Sequence, residues 1–173
     1  IIYMLLQIFH PDSIYDNPGE IRLDEKYYSL FLMSYDGTAF AYVAKVDSGN
    51  YHVTVKNRST IFKGNNYDEI SNLHLSDYGK HHCYSARKGE NWFVVYDNRE
   101  DKLYSRIRHL SLSDDGKILS YIGVNDGTDN KDKVSTGVIV HKGTVSETYD
   151  NIGSLLISSD GKHYVAEVST GGK

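Results

Sequence analysis

The stretch "LSLSDDGKILSY", residues 110–121, is an apolar-polar alternation that runs into Ser-Asp-Asp-Gly and resumes on the far side. Asp-Gly between two alternating runs is a strong short-range hairpin signal, because both central residues of a type I′ turn take positive φ. The motif recurs. "FLMSYDGTAFAY", "LHLSDYGKHHCY" and "LLISSDGKHYVA" repeat it, each with a serine three residues ahead of a glycine. The four glycines, Gly37, Gly79, Gly116 and Gly161, stand 42, 37 and 45 residues apart, and each is expected to make a structural turn.

The rest of each unit repeats as well. A tyrosine lead, "YDEI" at Tyr67, "YSRI" at Tyr104 or "YDNI" at Tyr149, precedes the first strand. Beyond the turn come a second strand, a polar loop, a third strand ("YHVTV", "WFVVY", "TGVIV") and a weaker fourth. Four short strands in a unit of about 40–45 residues are the signature of a β-propeller blade. Two-residue alternation recurs along the chain and no window sustains apolar residues at helical spacing, so the sequence predicts an all-β propeller of four-stranded antiparallel blades.

With 173 residues, one domain is expected. Complete blades fall at residues 26–66, 67–103 and 104–148, and residues 149–173 supply the first two strands of a fourth. Residues 1–25, with "IIYMLLQIF" and "SIYDN", hold strands but no serine-glycine hairpin. They are expected to be closing strands that pair with the partial blade, which would leave about four blades and no open sheet edge. The other arrangement is an arc of a larger propeller of roughly six to eight blades, completed by further sequence or by a second chain. The chain opens on Ile1, which fits a processed product or an excised piece.

A formal net charge of −4 gives no reason to expect a phosphate-backbone partner, so nucleic acid is not anticipated. The apolar opening run is too short to span a bilayer. A single cysteine rules out an internal disulfide and leaves the compartment open. Asn57-Arg58-Ser59 is a glycan acceptor sequon in a eukaryotic secretory pathway. Fifteen tyrosines against one tryptophan point to a residue that serves both strands and recognition surfaces.

His81, His82 and Cys83 are adjacent and invite a metal reading. Counting from the turn glycines argues against it. Cys83 falls level with Ala41, Ser120 and Val165, and His82 with Phe40, Leu119 and Tyr164. Successive strand residues point to opposite faces, so the three side chains cannot converge on one ion and no metal site is expected. The acidic loop "NDGTDNKDK", residues 125–133, lacks the alternating oxygen ligands of a calcium loop and reads as a surface insertion. Ser34, Ser76, Ser113 and Ser158 recur before four turns, which turn chemistry explains. Tyr42, Tyr84 and Tyr121 share one register and are expected to pack between blades, whereas Trp92 is the candidate ligand-facing aromatic. No nucleophile elbow, phosphate loop or zinc-protease helix motif occurs, so neither catalytic residues nor a cofactor are expected.

The unit "YSRIRHLSLSDDGKILSYIGV" resembles the F-S-P-D-G-K-x-I-A-Y repeat of TolB-like, WD-repeat-like bacterial propellers, and "WFVVYDNREDKLYSRI" resembles the stretch that joins their blades. The likeness runs over residues 26–168. In this sequence Tyr35, Asp77, Asp114 and Ser159 stand where the family pattern has proline, and no Trp-Asp dipeptide occurs. The resemblance implies a propeller that binds protein partners through loops and channel, in a periplasmic or extracytoplasmic setting, with no catalytic residues to carry over. Propellers of this kind also serve as accessory domains of prolyl-oligopeptidase-like hydrolases. The expected function is therefore a noncatalytic module for protein recognition or assembly, self-association included. The alternative is such an accessory domain or a glycan-binding domain.

Overall fold

The structure is a computed structural model that describes residues 28–46, 49–57, 60–127 and 135–171. The closing strands expected in residues 1–25, Arg58-Ser59 of the sequon and residues 128–133 of the acidic loop lie outside the described residues. Three four-stranded antiparallel sheets and one two-stranded sheet follow one another along the chain. Sheet one is β1 (Tyr28–Met33), β2 (Ala39–Lys45), β3 (Tyr51–Asn57) and β4 (Ile61–Lys63). Sheet two is β5 (Glu69–Leu75), β6 (His82–Lys88), β7 (Asn91–Tyr96) and β8 (Arg99–Glu100). Sheet three is β9 (Arg106–Leu112), β10 (Leu119–Asn125), β11 (Thr136–His141) and β12 (Thr144–Val145). Sheet four is β13 (Asn151–Ile157) with β14 (Tyr164–Ser169). Strand order within each complete sheet is sequential, as in blades of a β-propeller, and the described residues contain no helix.

The middle strands of sheets two and three are buried on both faces because each of these sheets lies between two others. Ala41, Val43, Val53 and Val55 of sheet one pack on Tyr67, Tyr84, Phe93 and Val95. Cys83 and Val94 pack on Leu110, Tyr121 and Val140, and Ile122, Val124 and Ile139 pack on Ile152 and Leu155. The tyrosine leads start each new blade against the third strand of the one before, through paired bridges between Tyr51 and Tyr67, Trp92 and Tyr104, and Gly137 and Tyr149. A fully buried Val, Leu or Phe contributes roughly 1.5–3 kcal/mol and a net hydrogen bond about 1 kcal/mol, so apolar burial holds the joints and polar contacts set their register.

Those polar contacts lie in the repeated turns. The backbone of Ser34, Ser76, Ser113 and Ser158 closes a four-residue loop, and each serine Oγ accepts the N–H of the first residue beyond it, at 2.9–3.1 Å. All four turn glycines take positive φ, but Asp36, Asp115 and Asp160 do not. The type I′ expectation is thus corrected: each loop is a type I turn, Gly N–H to Ser C=O at 2.8–2.9 Å, ending in a left-handed glycine. Type I′ geometry occurs instead at Asp97-Asn98, between β7 and β8, and at Lys142-Gly143, between β11 and β12. Neighbouring turns are bonded to one another, Asp36 N–H to Asp77 C=O at 3.2 Å, Asp77 to Asp114 at 2.9 Å and Asp114 to Ser159 at 2.9 Å. At Asp77 and Asp114 the proline slots of the family pattern therefore supply donors that proline lacks.

Every first strand carries a β-bulge, and in the complete blades the bulged residue is left-handed: Leu30, Asn72 and His109, with φ of 50°, 51° and 49°. Among the described residues sheet four touches only sheet three, so no contact joins it to sheet one. Its far face is open. Val165 is 65% exposed where Ala41, Cys83 and Ser120, its counterparts, are at 0%, and Leu156 beside it is also 65% exposed.

Candidate functional site

His81, just ahead of β6, and Cys83 face sheet three while His82 faces sheet one, the alternation expected of adjacent extended residues. His81 Nδ1 lies 2.6 Å from Asp97 Oδ2, and its ring stacks on Tyr96 at 6.0 Å. The Tyr96 hydroxyl donates to the Gly116 carbonyl at 2.8 Å and so ties sheet two to sheet three. The second Asp97 oxygen accepts the backbone N–H of His82 at 3.0 Å. The His82 ring stacks on Tyr84 and tilts against Phe62, and burial holds its pKa below the ordinary value. Burial also pushes the Cys83 thiol far up, so it packs as a small neutral side chain. Among the described residues no three His, Cys, Asp or Glu side chains gather as metal ligands would.

Asp97 is the residue that sequence reasoning missed. Its signal was available: Asp-Asn between "WFVVY" and the next strand favours a two-residue turn with both φ positive, and that turn lays Asp97 beside His82.

Tyr84 and Tyr121 are buried between sheets, and Tyr42 is buried against Phe31, Phe40 and Ala44 of its own sheet. Tyr67 meets Tyr84 edge-on at 6.1 Å, and Tyr104 meets Tyr121 at 6.0 Å. The Tyr67 hydroxyl donates to Glu100 at 2.9 Å, and that of Tyr121 to Asp101 at 2.8 Å. Burial, with Glu100 beside it, pushes the Tyr67 pKa up to about 12. Ser34, Ser76 and Ser113 are buried in their turns. Trp92 is half-buried on β7, held through its backbone to Tyr104, and among the described residues its ring stacks on no other aromatic ring.

Three features face solvent instead. Tyr35 and Tyr78, 90% and 63% exposed, stand on adjacent turns joined by the Asp36–Asp77 backbone bond. Sheet four presents Leu156 and Val165 on its uncovered face. A cleft of about 270 Å³ opens between the outer strands of sheets two and three, with Leu119, Val140 and Tyr96 along it and Arg99, Lys117 and Lys142 at its rim.

No protein-family model matches the sequence, and no curated protein matches it. Among solved structures, the chain is similar to Pyrococcus horikoshii acylaminoacyl peptidase, at 13% identity and a TM-score of 0.49, over 71% of this chain and 24% of that one. It is also similar to the β-propeller domain of the Trilobed protease from Pyrococcus furiosus, at 18% identity and a TM-score of 0.46, over 71% of this chain and 42% of that one. The chain spans less than half the length of either protein.

Proposed function

We propose that the chain is a noncatalytic β-propeller module for protein–protein recognition or assembly, its partner a protein and a second copy of itself one form of that partner. The observation that carries this reading is the far face of sheet four. It follows the same repeat as faces that are covered elsewhere, yet leaves Val165 and Leu156 in water. Exposed apolar side chains set in an inter-blade register suit another protein sheet. The repeat's resemblance to TolB-like propellers supports the same reading.

The test is solution mass by light scattering for the chain and for a Leu156→Lys/Val165→Lys variant. A multimer that the double substitution reduces to 19.6 kDa supports assembly through this face. A monomer in both cases moves the reading to recognition of a different protein, and a monomer that turns over a small substrate overturns it.

The exposed pair Tyr35 and Tyr78 favours a second reading, a glycan-binding or hydrolase-accessory domain, because aromatic faces on rigid turns suit sugar rings. Saturable quenching of tyrosine fluorescence by a glucan oligosaccharide, lost in Tyr35→Ser/Tyr78→Ser, would support it.

A further inference from the structure

Two clefts lie between blades, and their cations differ in how they are engaged. In the smaller, of about 130 Å³ between sheets three and four, Arg106 pairs with Asp126 at 2.7 Å and Arg108 donates to the carbonyls of Ile152 and Gly153. In the larger, between sheets two and three, the carboxylates are engaged while one cation is free. Glu100 holds the Tyr67 hydroxyl and Asp101 the Tyr121 hydroxyl. Lys117 lies 3.3 Å from Asp115, and Lys142 donates to the Lys162 carbonyl at 3.0 Å. The exposed guanidinium of Arg99 has no partner among the described residues.

The walls are fixed. Tyr96 is pinned by its bond to Gly116, Val140 is buried in the core between the two sheets, and Lys142 sits in a tight left-handed turn. At about 270 Å³ the cleft falls short of the roughly 300–1,000 Å³ of sites that enclose a small-molecule ligand, so it suits one end group. Leu119 and the Tyr96 ring, both partly exposed, offer that group an apolar floor, and Arg99 with Lys142 a charge for it to meet.

We propose that this cleft captures the C-terminal residue of a partner protein, an apolar side chain with its free carboxylate turned to Arg99. The proposal rests on the recognition reading and names the chemistry of the partner; it leaves the open face of sheet four aside, so either can fail without the other.

The test is amide-shift titration of the full 173-residue chain with acetyl-Leu-Leu bearing a free carboxylate, its C-terminal amide, and acetyl-Leu-Glu-Leu-amide. The free acid is expected to move the Leu119, Lys142 and Gly143 amides saturably and to bind about two- to fivefold more tightly than the amide, the range of one exposed ion pair. Arg99→Ser and Lys142→Asn, the latter compatible with the left-handed turn, should each weaken the acid alone, and Arg99→Lys should retain part of the affinity. Equal binding of acid and amide, preference for the internal glutamate, or no shifts at millimolar peptide would overturn the proposal.

Discussion

A Cβ on Gly116 would stand 2.5 Å from the Cβ of His81 in the preceding blade and 2.8 Å from that of Ser76. The same contact recurs between the Gly161 position and Ile118 and Ser113, and between Gly79 and Ala39. The turn glycine is therefore both a left-handed hinge and the flat surface on which blades meet. Gly116→Ala should cost about 1–2 kcal/mol for its φ and roughly 1–3 kcal/mol more for overpacking. Gly89, with φ of +62° and no atom within 4 Å of where a Cβ would stand, isolates the first of these. Urea melts of Gly89→Ala and Gly116→Ala are expected to differ by the packing part; equal losses would refute the contact.

The bonds between turns give a second prediction. Asp114 occupies the second position of a type I turn, where proline fits, so Asp114→Pro keeps the conformation and removes only the N–H that Ser159 accepts at 2.9 Å. At Tyr35 the corresponding bond starts one residue later, from Asp36, and proline there removes no bond between turns. Tyr35→Pro should stabilise by about 0.4–1 kcal/mol through the unfolded chain, and Asp114→Pro should fall about 1 kcal/mol below it. Equal stability of the two variants would show that the chain of backbone bonds between turns contributes nothing.

His82 makes stability depend on pH. Burial depresses its pKa in the folded chain, so the unfolded chain binds more protons in mild acid. Its contribution is complete above about pH 6.5, the unfolded value, and is lost as pH falls through the depressed folded value. His82→Leu, which installs the residue found at the equivalent Leu119, should flatten the decline in urea midpoint between about pH 7.5 and pH 5. His74, also depressed by burial, leaves a residual slope. An unchanged profile would place the acid sensitivity elsewhere.

Asp160 gives a test of the same sign, on an exposed turn. The Ser158 hydroxyl, then the Lys162 amide, hold its pKa down to about 2. What this contributes is present above the ordinary aspartate value, near about 3.9, and is lost as pH falls through the folded pKa. Carboxyl carbon NMR should find Asp160 titrating higher in Ser158→Ala than in the parent chain.

The strands were legible because alternation is a local property. "YHVTV", "WFVVY" and "TGVIV" lie within β3, β7 and β11, and the weaker fourth strands are β4, β8 and β12. The turn glycines were legible for the same reason, but the turn type was not: the serine that closes each loop extends it to four residues, which leaves aspartate at negative φ. The bulges were hidden because Leu30 and His109, both exposed, carry no turn motif, and the extra residue shows only in the register of pairing with the second strand. The cleft was hidden too. Arg99, Lys117 and Lys142 are scattered surface cations until two blades bring them to one rim.

Because each sheet of the described arc touches only the next, stability is communicated in series, as in a linear array whose members are coupled pairwise. A fault at one joint weakens its two flanking sheets and leaves remote ones unaware of it. Erosion then proceeds from the exposed end: amide hydrogens of β14 should exchange first, those of β10 next and those of β6, at the interior of the series, last. Covering the far face of sheet four would abolish that order by giving the array a second protected end.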